Sequence, residues 1–127
     1  MKRLLSLLSL TLALAVLSTA ALACSSPGKG SSGITIWPAP VNDYCWAQVD
    51  RCSCVPVMNN LTVKMKVQYQ SGNNYVWTSE QSDNGSNVAQ VKVSRNVPYA
   101  IAIIASGTAT CNNGVLVTKT FNLNKNR

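Results

Sequence analysis

Residues 61–70 alternate strictly between apolar and polar side chains: Leu61-Thr62-Val63-Lys64-Met65-Lys66-Val67-Gln68-Tyr69-Gln70. Successive side chains of a β-strand point to opposite faces of its sheet, so a period of two places one face against a core and the other in water. A helix would instead repeat its apolar residues every three or four positions. The segment therefore predicts a half-buried strand of an antiparallel sheet.

The flanking sequence continues as short strands separated by turn-forming residues. Strands are predicted at residues 34–37, 61–70, 75–81, 88–94, 99–105 and 115–121. Turns are predicted at 71–74, 82–86 and 112–114, the last of which contains Asn-Gly, a strong hairpin signal. Residues 99–105 are continuously apolar, which predicts a central strand covered on both faces. Residues 41–57 show no clear period and are interpreted as irregular.

The composition of the chain after residue 23 also disfavours helices. Residues 1–23 contain nine of the twelve leucines, whereas the rest of the chain has thirteen Val, five Ile and seven Thr. Side chains branched at Cβ lose little freedom in strands and more in helices. The pattern predicts an all-β fold, most simply a small antiparallel β-sandwich over residues 34–123. The polar residues 124–127 are predicted to form a disordered tail.

Residues 1–23 have the features of a signal peptide for export. A basic pair precedes an apolar run over 4–17, and the residues just before Cys24 satisfy the small-x-small rule for cleavage. The junction also resembles the lipobox of bacterial lipoproteins, although that family prefers Leu and a small residue where this chain has Ala21 and Leu22. The resemblance implies cleavage before Cys24, acylation of its thiol with chains such as palmitate, and attachment to a membrane.

Residues 24–33 are rich in Ser and Gly, which predicts a flexible tether that holds a lipid-anchored domain clear of the bilayer. Acylation of Cys24 would leave four of the five cysteines, an even number that can pair completely. Without acylation, the same leader predicts a secreted or periplasmic protein. An uncleaved leader would itself be a membrane anchor.

The four remaining cysteines predict two disulfides, because export implies an oxidising compartment; they are Cys45, Cys52, Cys54 and Cys111. In an extended strand, Cys52 and Cys54 are too far apart for relaxed disulfide geometry. One of these two is therefore predicted to pair with Cys45 and the other with Cys111, which would clamp the sandwich. The alternative is a soft-metal site. The chain has neither a Cys-x-x-Cys pair nor a histidine, so no metal is predicted.

Residues 96–99, Asn-Val-Pro-Tyr, followed by Ile101 and Ile103, resemble the turn, corner tyrosine and penultimate strand of fibronectin type III and immunoglobulin-like domains. The resemblance covers roughly the second half of the chain. It implies a two-sheet sandwich in which Tyr99 is a structural corner residue. Such sandwiches carry many unrelated functions, so the resemblance implies none in particular.

Tyr75 and Trp77 are the candidate ligand-binding residues. They share one face of a predicted strand, a spacing that suits a stacking platform for a sugar or an exposed peptide. The competing interpretation is core packing, since a small domain with one Phe and few Leu needs Trp46 and Trp77 inside. The two interpretations differ in the exposure that they predict for the Trp77 ring.

A basic stripe is the second candidate surface. Residues 24–127 carry nine Lys and Arg against four acids, so their net charge is 9 − 4 = +5. Lys64 and Lys66 share the polar face of one strand and Lys92 lies on that of another. If one sheet holds both strands, the stripe could bind an anionic polymer or lipid head groups. No aromatic residue is expected within it and exported proteins rarely meet nucleic acid, so a nucleic-acid partner is not predicted.

The chain lacks the usual groups for acid–base catalysis. It has no histidine, and its acidic side chains are Asp43, Asp50, Glu80 and Asp83. We therefore predict that it is not an enzyme and needs no cofactor. The leading prediction is a non-catalytic lipoprotein of the outer membrane or cell surface, which binds an anionic envelope polymer, a glycan or a protein. The alternatives are a soluble disulfide-bonded inhibitor or effector and a carbohydrate-binding module that uses Tyr75 and Trp77.

Overall fold

The computed structural model describes residues 26–127 except 39, 54, 56, 57 and 113, and within this part it contains strands and no helix. The strands are β1 (Gly28–Thr35), β2 (Asp43–Arg51), β3 (Asn59–Ser71), β4 (Asn74–Trp77), β5 (Gln81–Ser86), β6 (Gln90–Val97), β7 (Ala100–Asn112), β8 (Leu116–Asn122) and β9 (Lys125–Asn126). Their pairings are antiparallel. The predicted all-β, antiparallel fold class is therefore confirmed. The predicted signal peptide and Cys24 lie outside the described residues.

Two sheets form the domain. The smaller sheet has the order β1-β2-β6, and the larger has the order β4-β3-β7-β8, with β5 also paired to β3 and β9 to β7. The thirteen-residue strands β3 and β7 form the centre of the larger sheet. Strand β2 of the smaller sheet lies over both of them. The arrangement is consistent with the predicted β-sandwich.

The core lies between the two sheets and confirms the alternation predicted for residues 61–70. Leu61, Val63, Met65 and Val67 of β3 are at most 1% exposed, while the intervening side chains face outward. The inner face of the smaller sheet contributes small residues to the same cluster: Cys45, Ala47, Val49, Val91 and Val93. Because these side chains are short, the two sheets can approach closely.

Gly107 of β7 allows one such close approach. A Cβ atom at this position would lie 2.3 Å from Cγ2 of Val49 and 2.9 Å from the carbonyl oxygen of Thr62. Both distances are shorter than any relaxed contact between such atoms. Glycine is therefore the residue that lets β2 cross β7 here.

Residues 28–33, predicted to belong to a flexible tether, instead form most of β1. This strand pairs with β2 over its whole length, from Gly28 opposite Arg51 to Thr35 opposite Tyr44. β2 itself occupies a segment that was predicted to be irregular. The tether prediction is wrong from residue 28 onward, because pairing satisfies the backbone of a Gly- and Ser-rich segment whose side chains give no strand signal.

Two further predictions fail toward the C-terminus. Residues 82–86, predicted as a turn, lie in β5 and pair with β3. Residues 124–127, predicted to be disordered, lie against β7. Lys125 is paired with Ile103, and the Arg127 amide donates to the Ile101 carbonyl at 2.8 Å. The tail therefore continues the larger sheet.

The predicted disulfides of Cys45 and Cys111 are wrong, because both residues are buried free thiols. Cys45 lies near the start of β2 and Cys52 just after its end. Seven extended residues span about 23 Å, whereas the two Cα atoms of a disulfide lie about 6 Å apart. Burial, helped by the nearby Asp43 carboxylate, raises the pKa of the Cys45 thiol to about 11. Cys52 is not one of these free thiols, and Cys54 lies outside the described residues.

We call the two ends of the domain the Arg127 end and the hairpin end, the latter after the β7–β8 turn. At the Arg127 end, the Asp43 carboxylate at the start of β2 accepts a hydrogen bond of 2.9 Å from the Ala100 amide at the start of β7. At the hairpin end, β2 finishes at Arg51 and the β7–β8 turn contains Gly114, which has a φ of +82°. β2 and β7 therefore run in the same direction in the two sheets.

Candidate functional site

Tyr75 and Trp77 lie on β4, at the edge of the larger sheet, and both are exposed. Tyr75 is 66% exposed and Trp77 is 40% exposed. They stand opposite Gln70 and Gln68 of β3, on the outer face of the sheet. The expectation that Trp77 packs inside the core is wrong, because β4 is a four-residue edge strand whose main contacts are with β3 alone.

Two lysines of β3 continue this surface toward β7. The Nζ atom of Lys66 lies 5.1 Å from the centroid of the Trp77 ring, within cation–π distance. Lys66 stands opposite Ile104 of β7, which is 45% exposed. We name Tyr75, Trp77, Lys66, Lys64 and Ile104 the outer strip. Its geometry corrects two predictions, since an aromatic residue does interleave with the lysines and β7 is not covered on both faces.

A shallow groove of about 330 Å³ adjoins the outer strip where β8 gives way to β9. At this point Leu123 turns into the core, and the Asn124 side chain accepts a hydrogen bond of 2.9 Å from the Ala105 amide. Because the pairing with β7 is interrupted between β8 and β9, the outer face of the larger sheet is open beside Ile104. The polar lining consists of Lys64, Lys66, Glu80, Ser106, Thr120, Asn122 and Asn124. The groove thus combines two ammonium groups and one carboxylate with hydroxyl and amide groups.

The outer face beside the groove carries hydroxyl side chains that bond to one another across strands. The Oγ1 atoms of Thr62 and Thr108 are 2.6 Å apart, and those of Thr110 and Thr118 are 3.0 Å apart. Such bonds hold these side chains in defined rotamers. A ligand that lies on this face would therefore order few side chains on binding.

Lys92 does not belong to the outer strip, since β6 is in the smaller sheet. Its Nζ atom lies 5.5 Å from the Tyr44 ring centroid and 5.6 Å from that of Trp46, on the opposite outer face of the molecule. The predicted continuous stripe of Lys64, Lys66 and Lys92 is therefore wrong. The cause is that β3 and β6 fall in different sheets.

Tyr44 and Trp46 form a closed arrangement on that opposite face. Hydrogen bonding to Ser94, assisted by the Lys92 ammonium group, lowers the pKa of Tyr44. The half-buried Trp46 ring lies on Gly33, where a Cβ atom would come within 2.8 Å of the ring. Both rings already have partners, so this face is less open to a ligand than the outer strip.

The four acidic side chains are spread over the molecule. Asp43 and Asp50 lie at opposite ends of β2, about 23 Å apart along an extended strand. Glu80 lines the groove, and Asp83 on β5 accepts a hydrogen bond of 3.3 Å from a backbone amide of β6. Asp43 and Asp50 are therefore not brought together as a pair for acid–base catalysis.

Asp43 is the buried acid, and its partners explain its ionisation. Although burial alone would raise its pKa, hydrogen bonds from the amide of Ala100, the guanidinium group of Arg127 and the amide of Trp37 make the pKa lower than usual. The guanidinium carbon of Arg127 also lies 3.8 Å from the centroid of the Tyr99 ring. Tyr99, which the fibronectin resemblance implies to be a corner residue, thus helps to hold the Arg127 side chain in place.

Comparisons with protein-family models, curated proteins and solved structures gave no match to this chain. Among the described residues, no group of three or more His, Cys, Asp or Glu side chains could hold a metal ion. In the same part of the chain, no helix is long and apolar enough to cross a membrane. The function is therefore inferred from the surface chemistry of the domain.

Sequence reasoning identified Tyr75 and Trp77 but missed the neighbours that complete the outer strip. The signal for Lys66 was the tight β3–β4 turn at Gly72, whose φ is +61°. A two-residue turn places Trp77 opposite Gln68, one step from Lys66 on the same face. No sequence signal indicated Ile104, because an apolar run gives no indication of which face stays uncovered.

Proposed function

We propose that the chain is an exported, non-catalytic lipoprotein whose β-sandwich binds an anionic polysaccharide on the outer strip. The observation that carries the proposal is the exposed Trp77 ring with the Lys66 ammonium group 5.1 Å from its centroid. A sugar ring stacks its C–H groups on an aromatic face, and the edge of that face can still form hydrogen bonds. An ammonium group beside the ring pairs with a carboxylate, sulfate or phosphate substituent of the same sugar.

The groove extends the proposed site beyond a single sugar. Lys64 provides a second cation next to Lys66, and Thr120, Asn122 and Asn124 provide donors and acceptors for hydroxyl groups. Exposed Ile104 adds an apolar patch between them. The net charge of +5 for residues 24–127 would attract a polyanion before contact.

The strand order supports the fibronectin type III-like interpretation of the scaffold. With β1, β2 and β3 lettered A, B and C, strands β6, β7 and β8 take positions E, F and G. Sheet A-B-E then faces sheet C-F-G, as in that class of sandwich. Such scaffolds commonly serve as rigid carriers of a surface site, which agrees with a binding role.

Calorimetric titration with polygalacturonate, and with dextran as the neutral control, tests the binding proposal. Trp77→Ala removes the stacking surface and should weaken polygalacturonate binding by about tenfold, the equivalent of roughly 1.4 kcal/mol. Lys66→Gln should weaken binding to a similar extent and reduce its salt dependence. Trp37→Ala removes another exposed tryptophan, which lies at the Arg127 end, and serves as the matched control. Unchanged affinity of Trp77→Ala would refute the proposed site.

The lipid anchor is tested separately by intact mass and membrane fractionation. The proposal predicts a mature N-terminus at Cys24 with added diacylglyceryl and acyl mass. It also predicts that Cys24→Ala moves the protein from the membrane to the soluble fraction. An unmodified Cys24 in the mature protein would leave the secreted alternative.

A further inference from the structure

The described chain begins at the hairpin end of the domain. The Cys52 amide donates to the Pro27 carbonyl at 3.2 Å, and Gly28 pairs with Arg51. A Cβ atom on Gly28 would lie 2.6 Å from the Cβ of Ala109, near the end of β7. Since β1 runs from this point toward the Arg127 end, the residues that precede Pro27 join the domain at the hairpin end.

A lipid anchor on Cys24 would be tied to the domain at the hairpin end. Cys24 is two positions before Ser26 in the sequence, and a fully extended chain spans at most about 3.6 Å per residue, so their Cα atoms can be at most about 7 Å apart. The Gly- and Ser-rich segment after it cannot lengthen this link, because residues 28–35 are paired in β1. A lipid on Cys24 would hold the hairpin end directly at the bilayer surface.

Apolar side chains are exposed at the hairpin end. Val115 is 72% exposed, Leu116 68%, Val117 48% and Met58 68%. Met58 lies next to the β7–β8 turn, since its carbonyl accepts a hydrogen bond of 3.5 Å from the Asn112 amide. We name Met58, Val115, Leu116 and Val117 the tip patch. Turns between strands usually carry polar residues, so a tip of this composition points to an apolar partner.

We propose that the tip patch inserts into the membrane interface beside the lipid on Cys24. This inference depends on the proposed lipid anchor. Two basic groups near the same end suit anionic head groups: Arg51 is the last residue of β2, and Lys29 is the second residue of β1. The one acid near them, Asp50, accepts hydrogen bonds from the side-chain amides of Gln48 and Gln90.

Insertion of the tip patch would orient the binding site. Trp77 pairs with Gln68, which pairs with Ala102 of β7, and Asn112 at the turn is ten positions further along β7. An extended strand of that length spans about 33 Å. Lys64 stands opposite Ser106, six positions from Asn112, so the outer strip would extend from about 20 Å to about 33 Å above the bilayer. It would face sideways, where a polymer running along the membrane could reach it.

Quenching by brominated lipid tests the proposal on the full lipoprotein, purified with its lipid and reconstituted into phosphatidylglycerol–phosphatidylcholine vesicles. Leu116→Trp places a reporter in the tip patch, and Ile36→Trp places one on an exposed residue toward the Arg127 end. The wild type supplies the background of its three tryptophans. We expect brominated acyl chains to remove most of the emission added by Leu116→Trp and none of that added by Ile36→Trp.

Equal emission of Leu116→Trp in brominated and unbrominated vesicles would overturn the proposal. Intact mass of the same sample shows whether Cys24 is acylated, which separates failure of the anchor from failure of tip insertion. If Cys24 is unmodified, the same vesicles are mixed with the unacylated Leu116→Trp protein. Quenching would then support the tip patch as a membrane contact in its own right, and its absence would refute it. Near-ultraviolet circular dichroism checks that each variant is folded.

Discussion

Replacing Asp43 by alanine should destabilise the domain more than replacing any exposed acid by alanine. The buried carboxylate accepts hydrogen bonds from the Ala100 amide at 2.9 Å and the Trp37 amide at 3.3 Å, and it pairs with Arg127. A buried amide left without an acceptor costs about 1–3 kcal/mol. The ion pair adds about 1 kcal/mol, well below the value for a fully buried pair, because the Arg127 side chain is 24% exposed. We therefore expect a loss of about 2–4 kcal/mol.

Urea denaturation followed by tryptophan fluorescence measures this loss. With an m-value of about 1–2 kcal/mol/M for a domain of this size, the midpoint should fall by about 1–4 M. Glu80→Ala, at an exposed acid, is the matched control and should stay within about 0.5 kcal/mol of wild type. A midpoint for Asp43→Ala equal to that of the control would refute the role assigned to Asp43.

The same site predicts a pH dependence of stability. The hydrogen bonds make the pKa of Asp43 in the folded state lower than the value of 3.8 taken for a free carboxyl. Its contribution is therefore fully present above the unfolded pKa and is lost as the pH falls through the folded pKa. Wild type should lose stability below about pH 4, and Asp43→Asn should lack that part of the loss.

Two further predictions concern the core. Gly107→Ala should destabilise the domain by about 1–3 kcal/mol, because its methyl group would overlap Val49 and the Thr62 carbonyl, and a thermal melt that matches wild type would contradict this close packing. Cys45, with its thiol pKa raised to about 11, should react with iodoacetamide at pH 8 only upon unfolding, as measured by peptide mass spectrometry with and without urea; rapid alkylation of the folded protein would contradict its burial.

The sequence predicted elements whose own side chains carry the pattern. Leu61, Val63, Met65 and Val67 alternate with polar residues over most of β3, so its buried face was correctly predicted. β2 carries the same period, since Cys45, Ala47 and Val49 are buried. Its inward residues are small and its outward residues include Tyr44 and Trp46, so hydropathy masks the alternation. The prediction failed there because the buried side chains of β2 are the small ones and the large aromatic side chains face outward.

Other elements depend on partners that lie far away in the sequence. Most of β1 and all of β9 are strands because β2 and β7 offer unpaired backbone groups there. Residues 34 and 35 belong to a predicted strand, but residues 28–33 and Lys125–Asn126 have no strand pattern of their own. The candidate site shows the same division. The shared face of Tyr75 and Trp77 follows from spacing alone, whereas exposure of Ile104 depends on where β8 gives way to β9 on the outer face of the larger sheet.

The binding of an anionic glycan at the outer strip is tested most directly by the indole N–H signals in a ¹H–¹⁵N spectrum. The chain has three tryptophans, Trp37, Trp46 and Trp77, so three signals can be assigned by single Trp→Phe variants. Titration with oligogalacturonate should shift the Trp77 signal in a saturable manner and leave the Trp37 signal in place. The proposed site would be contradicted if the Trp77 signal stays fixed while another indole signal shifts. It would also be contradicted if none of the three signals shifts.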